Sequence, residues 1–124
     1  MATIGKTYRE SFIAGEDLSS SQFTFVKMNT TDRTVVAAGN GDAVAGILYN
    51  EPASGEAATV VISGRMMVLC GTGGLTAGAD VGVDANGAAV VAATGDVIVG
   101  QCVDGASATE YATIDLFRGG NASA

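Results

Sequence analysis

The chain has 124 residues, a length typical of one domain, and a formal net charge of −7 from 13 acidic and six basic residues. So acidic a protein repels a phosphate backbone, which argues against a nucleic-acid partner. No apolar run approaches the roughly 20 residues that span a bilayer, and the first residues lack the apolar core of a signal peptide, so we expect no membrane partner and synthesis in a host cytoplasm.

The first 14 residues have the pattern of an extended strand. Their large side chains fall mostly on one parity, which is typical of a strand that shows them on one face. The first nine residues carry Lys6 and Arg9 and no acid, whereas the rest of the chain is strongly acidic. The segment matches nothing in the second half of the chain. We therefore predict an extended N-terminal arm over residues 1–14, outside the fold and mobile in the free protein.

Short β-strands follow throughout residues 15–118, which we predict to be a single β domain. They are rich in β-branched and aromatic residues and are separated by turns that contain Gly, Asn and Asp. Asn86-Gly87 between two apolar runs is the strongest hairpin signal. No segment keeps a helical period over three turns. The pattern predicts an all-β fold, a small β-sandwich or barrel of about nine short strands, with a flexible tail at 119–124.

Part of the domain contains an internal sequence repeat. Residues 41–64 align with residues 95–118 at a constant offset of 54, with six identities in 24 positions. Residues 35–38 match 90–93 at a slightly larger offset, and Leu18 resembles Leu75. Repeats of this kind indicate two similar substructures. We predict two similar halves, roughly 18–63 and 75–117.

Candidate catalytic groups are scarce. The chain contains no His, which excludes Ser–His–Asp and Cys–His arrangements. Repeat-related carboxylates, Asp42 with Asp96 and Glu56 with Glu110, fit turn and strand starts better than catalytic pairs. Cys70 and Cys102 lie in apolar runs and are expected to be small buried hydrophobes, not a disulfide or metal ligands. We expect no enzymatic activity, no cofactor and no metal.

Large apolar side chains are few, since the chain has 18 Gly, three Tyr, four Phe and no Trp. A small domain with so thin a core is marginal alone, and oligomerisation is one common remedy. We therefore expect a homo-oligomer. Arg65, Met66 and Met67 form an unusual group, which is either core or an adaptable subunit contact.

Several phrases resemble a known family. The aromatic arm leads into a domain rich in Gly, Ala and Val, and the phrases lie at residues 46–50, 55–60, 76–80, 84–88 and 95–100. Over nearly the whole chain this resembles the head decoration, or capsid cement, proteins of tailed bacteriophages. The resemblance implies a structural virion protein that binds the outer capsid surface, usually as homotrimers, and stabilises the shell. The implied partners are the major capsid protein and further copies of the chain.

The arm is the expected capsid-binding element. Its exposed backbone can add to a sheet edge on the capsid protein or on a neighbouring subunit, with aromatic side chains filling pockets and cations steering the encounter. The residues expected to carry this contact are Ile4, Lys6, Tyr8, Arg9 and Phe12. The alternative is another phage β-structural subunit, such as a tail protein or an adhesin-like binding module. A ring-forming tail protein would need a longer insertion than this sequence shows.

Overall fold

The computed structural model describes residues 4–117. Within that range the chain is all-β, with nine strands and no helix, so the predicted fold class is confirmed and no helix there could cross a membrane. The predicted tail at 119–124 lies outside the described residues. The strands are β1 (Thr7–Ala14), β2 (Phe25–Met28), β3 (Thr34–Ala37), β4 (Gly46–Leu48), β5 (Ala57–Leu69), β6 (Asp80–Val83), β7 (Ala89–Val91), β8 (Gly100–Asp104) and β9 (Tyr111–Leu116).

The sheet closes on itself in the first half of the chain. Its order is β1-β3-β2-β4-β5, and β1 also pairs antiparallel with β5, from Thr7 opposite Gly64 to Ile13 opposite Ala57. The strands β1–β4 and residues 57–63 of β5 therefore form a small closed barrel, which we call the first barrel. Closure removes the exposed edges that an open sheet would present to other chains.

The second half closes in the same way. Residues 64–69 of β5 pair with β9, β9 with β8, β8 with β6, and β6 with β7. A parallel bridge between Cys70 and Ala89 joins the two ends. This is the second barrel. The 13-residue strand β5 belongs to both barrels. Its first half is the last strand of the first barrel, and its second half is the first strand of the second barrel.

Strand register repeats at the offset of the predicted duplication. Ile47 lies opposite Val61 in the first barrel, and Gln101 lies opposite Asp115 in the second, both shifted by 54. The turns agree as well. Each of the two Gly-Asp turns begins with a left-handed glycine. The Asp42 carboxylate then accepts the Gly39 N–H, and that of Asp96 accepts the Ala93 N–H, three residues back in both cases. The turn interpretation of these carboxylates therefore fits both repeats.

The repeated glycines Gly46 and Gly100 have a shared steric reason. A Cβ on Gly46 would collide with the carbonyl oxygen of Val61, and one on Gly100 would lie 2.6 Å from that of Asp115. These two carbonyls are themselves repeat-related. The chain therefore needs glycine wherever β4 or β8 crosses its neighbour closely.

The placement of the arm needs correction. Residues 7–14 are β1, a strand of the first barrel, so the β domain begins before residue 15 and this part of the predicted arm lies within the fold. The arm also has a counterpart in the repeat, namely residues 63–70. Arg9 lies opposite Val61, as Arg65 lies opposite Asp115. The match escapes a scan of the sequence because its offset is 56, and because Arg is the single identity in these eight positions.

Each barrel has its own interior, and the two interiors are built from equivalent positions. All eight core residues of the first barrel have a counterpart in the core of the second. In chain order the pairs are Ala14/Cys70, Leu18/Leu75, Val26/Val81, Val35/Ala89, Ala45/Val99, Leu48/Cys102, Ala58/Ala112 and Val60/Ile114. Strand register thus pairs Val35 with Ala89 and not with Val90, so the sequence match of residues 35–38 with 90–93 is one residue out of register. The cysteines are thus buried core residues, as the sequence predicted.

The barrels meet through the outer side of the first barrel. Phe25, Ile47 and Val61 are fully buried and belong to the core cluster of the second barrel. Their backbone is also tied across the junction, since the Phe25 N–H donates to the Gly87 carbonyl at 2.8 Å. The junction therefore adds apolar burial that neither small barrel has alone.

Candidate binding surface

The predicted arm residues divide by exposure. Ile4, Lys6, Tyr8 and Arg9 are exposed, with 60% of Tyr8 accessible. Phe12 is half-buried and packs against the core of the first barrel. Strand alternation explains the difference, because Phe12 shares a face with the buried end of the strand at Ala14. Phe12 is therefore a packing residue, and the other four are available for contact.

Arg9 joins a cluster of aromatic rings that spans both barrels. Its guanidinium carbon lies 4.0 Å from the centre of the Tyr49 ring, within cation–π range. Phe23 meets Tyr49 edge-on at 6.3 Å and 77°, and meets Tyr111 at 5.6 Å and 88°. These are the preferred geometries of aromatic pairs. We call Arg9, Phe23, Tyr49 and Tyr111 the aromatic cluster.

The centre of this cluster has an unusual backbone. Phe23 has a φ of 63°, and its N–H donates to the Leu48 carbonyl at 2.8 Å. The repeat-related bond runs from Gly78, with a φ of 88°, to Cys102, also at 2.8 Å. The fold thus requires a left-handed residue here. Phenylalanine meets that requirement at a cost of about 1–2 kcal/mol, which glycine avoids.

Backbone strain of this kind tends to occur at functional sites. The strand and turn patterns of the sequence do not single out Phe23, Tyr49 or Tyr111 as binding residues. The available signal was the repeat itself, since an aromatic residue stands where the second copy has glycine.

The group Arg65, Met66 and Met67 is split by the structure. Met66 is fully buried in the second barrel and Met67 is half-buried against the same core, so the core interpretation fits both. Arg65 is exposed and forms a two-pronged ion pair with Asp115, at 2.9 and 3.2 Å. The hydrogen bonds from Arg65 lower the pKa of the Asp115 carboxyl. Only Arg65 remains available as an oligomer contact.

The two cysteines and the Lys27–Asp42 ion pair are built into the fold. Burial raises the pKa of both thiols, Cys70 and Cys102, so the nucleophilic thiolate is disfavoured. Lys27 donates to Asp42 at 2.9 Å. Over residues 4–117 no three His, Cys, Asp or Glu residues are grouped as a metal site would require. The surface around the aromatic cluster presents exposed aromatic side chains next to cationic ones.

Comparison with known proteins identifies the fold. No family model matches the chain, and neither does any curated protein sequence. A solved structure does match, the head fiber gp8.5 N base of bacteriophage phi29, with a TM-score of 0.72. The match covers 94% of this chain and 98% of that one, at 13% sequence identity. At that identity the likeness shows a shared fold, here over almost the full length of both chains.

Proposed function

We propose that this protein is a structural virion protein of a tailed bacteriophage, without enzymatic activity, which binds the outer surface of the capsid and stabilises the shell. One observation carries the proposal: the tandem-barrel fold matches a phage head fiber base over nearly all of both chains. The resemblance of the sequence to capsid decoration proteins points the same way. The partner is the major capsid protein, and the location is the outside of the virion.

The aromatic cluster and the exposed residues of β1 are the proposed capsid contact. Tyr and Arg are over-represented among residues that dominate binding energy, and Arg9, Tyr49 and Tyr111 are of these types. Tyr8 lies in β1, and Ile4 and Lys6 lie just before it; all three are exposed. Because β1 is already held in a barrel, binding does not require this strand to be ordered, which lowers the entropic cost. Lys6 and Arg9 steer association and make it salt-sensitive.

Homotrimers are the proposed assembly on the shell. A formal charge of −7 keeps the free protein soluble. Two small barrels with few large side chains bury little surface by themselves, so burying further surface between subunits would stabilise them. Capsids of tailed phages present three-fold positions, which a trimer matches in symmetry.

The proposal is tested on particles produced by the genome that encodes this chain. We expect the chain in purified virions by mass spectrometry, and antibody-linked gold on the head. Arg9→Ala with Tyr111→Ala should reduce occupancy of the head at least tenfold, whereas Val91→Ala, which changes an exposed apolar residue of β7, should not. Gold on the tail would instead support the tail or adhesin alternative. Virions that lack the chain would refute both.

A further inference from the structure

An open groove lies on the first barrel, at the end of β2. Lys27, Met28, Asp42, Ala43 and Val44 line it, and its volume is about 310 Å³. Met28 is 47% exposed and the Lys27–Asp42 ion pair forms one wall. A groove of this size accommodates one or two residues of a tight turn.

The same groove occurs in the second barrel, where it is filled. The equivalent residues include Val83, Asp96 and Val97, and they hold the turn of the first barrel around Gly41. The Gly41 N–H donates to the Val83 carbonyl at 2.8 Å, and the Val97 N–H donates to the Gly41 carbonyl at 3.4 Å. A Cβ on Gly41 would lie 2.6 Å from Asp96 Oδ1, and Gly41 has a φ of 71°, so both the fit and the backbone favour glycine.

The second barrel has its own copy of that turn, and the space beside its glycine is open among residues 4–117. Gly95 corresponds to Gly41, has a φ of 91°, and a Cβ placed on it would find no atom within 4 Å. One molecule therefore carries an open groove on its first barrel and an open turn on its second. Within the chain, the equivalent turn of the first barrel occupies the equivalent groove of the second barrel.

We propose that a second copy of this chain docks its Gly95 turn into the groove at Met28 and Ala43, repeating between molecules the contact that joins the barrels within one molecule. By equivalence, the Gly95 N–H donates to the Met28 carbonyl and the Ala43 N–H donates to the Gly95 carbonyl. The inference deepens the self-association in the proposed function by naming its contact, and it does not depend on the capsid.

One pair of opposite charges falls across the two surfaces. Within the chain Gly87 sits against Phe25. The repeat places Arg33 at the position of Gly87 and Asp80 at the position of Phe25. By the same equivalence, Arg33 of one copy meets Asp80 of the next. Both side chains are exposed in the single chain, where the Arg33 guanidinium donates to the Ser11 carbonyl at 3.2 Å. An apolar contact inside the molecule thus becomes a polar, reversible contact between molecules.

At Arg33, the docked arrangement requires one hydrogen bond to be exchanged for another. The Arg33 carbonyl accepts the Ile13 N–H at 2.7 Å, whereas its counterpart Gly87 accepts from Phe25. Docking on that side releases Ile13. The contact joins two different surfaces, so it is heterologous, and successive copies either close into a ring or extend into a filament. A trimer corresponds to a closed ring of three.

The test is sedimentation velocity of the full chain over a range of concentrations. Ala43→Trp fills the groove and should raise the dissociation constant at least tenfold, whereas Ala108→Trp, on the exposed β8–β9 loop, should leave it unchanged. Arg33→Asp and Asp80→Arg should each weaken assembly, and the double variant should restore it. Asp tolerates the left-handed backbone at position 33, and thermal melts confirm that each variant is folded.

Two results would overturn the contact: Ala43→Trp assembling as the unchanged protein does, or a double charge reversal that fails to restore assembly. A chain that stays monomeric at all concentrations yet decorates heads also overturns it, and leaves the proposed function standing. Assembly that follows the predicted pattern, by a chain that virions lack, supports the contact and refutes the function.

Discussion

Left-handed backbone positions show how individual residues are constrained by the fold. Four repeat-related pairs have positive φ in both barrels, and in three of them only one member is glycine. The pairs are Phe23/Gly78, Arg33/Gly87, Gly41/Gly95 and Gly55/Thr109. Since the backbone is the same in both copies, the non-glycine member of each pair bears a conformational cost that its counterpart avoids.

Thr109 gives the cleanest test of that cost. It is exposed, with a φ of 67°, and its counterpart Gly55 has a φ of 85°. We expect Thr109→Gly to stabilise the protein by about 1 kcal/mol and to raise the Tm by roughly 4 °C. Ala108→Gly is the matched control and should lower the Tm, because there glycine only adds freedom to the unfolded chain. A lower Tm for Thr109→Gly would contradict the argument.

Phe23 combines the same strain with a packed ring. Phe23→Ala removes the ring and keeps a Cβ at positive φ, whereas Phe23→Gly removes both. We therefore expect both variants to be destabilised and the glycine variant to be the more stable by about 1 kcal/mol, the reverse of the usual order. Urea unfolding of the two variants measures this difference. An alanine variant as stable as the glycine variant would show that the backbone at position 23 relaxes.

Asp42 makes stability depend on pH. Its pKa is lowered from 3.8, first by the hydrogen bond from Lys27 and then by the Gly39 N–H. A carboxyl with a lowered folded pKa stabilises the fold above its unfolded pKa and loses that contribution as the pH falls through the folded value. We expect the stability difference between the unchanged protein and Asp42→Asn, under about 1 kcal/mol for so exposed a pair, to shrink between about pH 5 and pH 2.

The control for this effect is Lys27→Met. This variant removes the hydrogen bond from Lys27 that lowers the pKa of Asp42. In the Lys27→Met background, the stability difference between Asp42 and Asp42→Asn should therefore lose most of its dependence on pH. A difference that is unchanged in the Lys27→Met background would assign the effect to the turn at Gly39 alone.

At the scale of elements, β5 explains why the two halves cannot be separated at a loop. Its 13 residues run from one barrel into the next, and each half is paired along its length, with β1 in one case and β9 in the other. In this arrangement β1 is the opening strand of its barrel, as residues 64–69 are of theirs. Removing it would open a closed barrel and expose an edge of β5.

Deletion of residues 2–13 should therefore abolish cooperative unfolding of the first barrel and promote aggregation. The measurement is circular dichroism during thermal melting, with size-exclusion chromatography. A synthetic peptide of residues 2–14 added in trans should restore a folded complex, because it supplies the missing strand. A truncated chain that remained soluble and melted cooperatively would return the segment to the status of a separate arm.

Local chemistry made the strands, turns and repeat predictable, and long-range pairing did not follow from it. Alternation, β-branched residues and Gly-Asp turns predicted an all-β chain with two similar halves, and the buried cysteines followed from their apolar neighbours. The sequence of β1 contains no local signal that indicates its pairing partner. A strand that pairs within the chain therefore has the same sequence pattern as a free arm. The aromatic cluster escaped for the same reason, since Arg9, Phe23, Tyr49 and Tyr111 are far apart in sequence.

At the scale of the molecule, the two barrels use the same outer face differently. In the first barrel this face carries Phe25, Ile47 and Val61, all fully buried against the second barrel. In the second barrel the equivalent positions are Asp80, Gln101 and Asp115, which are polar and reach solvent. The molecule therefore has one buried junction and one polar end.

The last prediction follows from that junction. The barrels share a strand and an apolar interface, so they should unfold in one transition, with slowly exchanging amides of both barrels reporting the same free energy. Phe25→Ala leaves a cavity at the junction and should cost about 3–5 kcal/mol, and the two barrels should then exchange with different free energies. Asp80→Ala changes the equivalent residue on the solvent-facing side and should stay within about 0.5 kcal/mol. Hydrogen exchange by NMR with denaturant unfolding measures both variants. Two separate transitions in the unchanged protein would mean that β5 connects the barrels without coupling them.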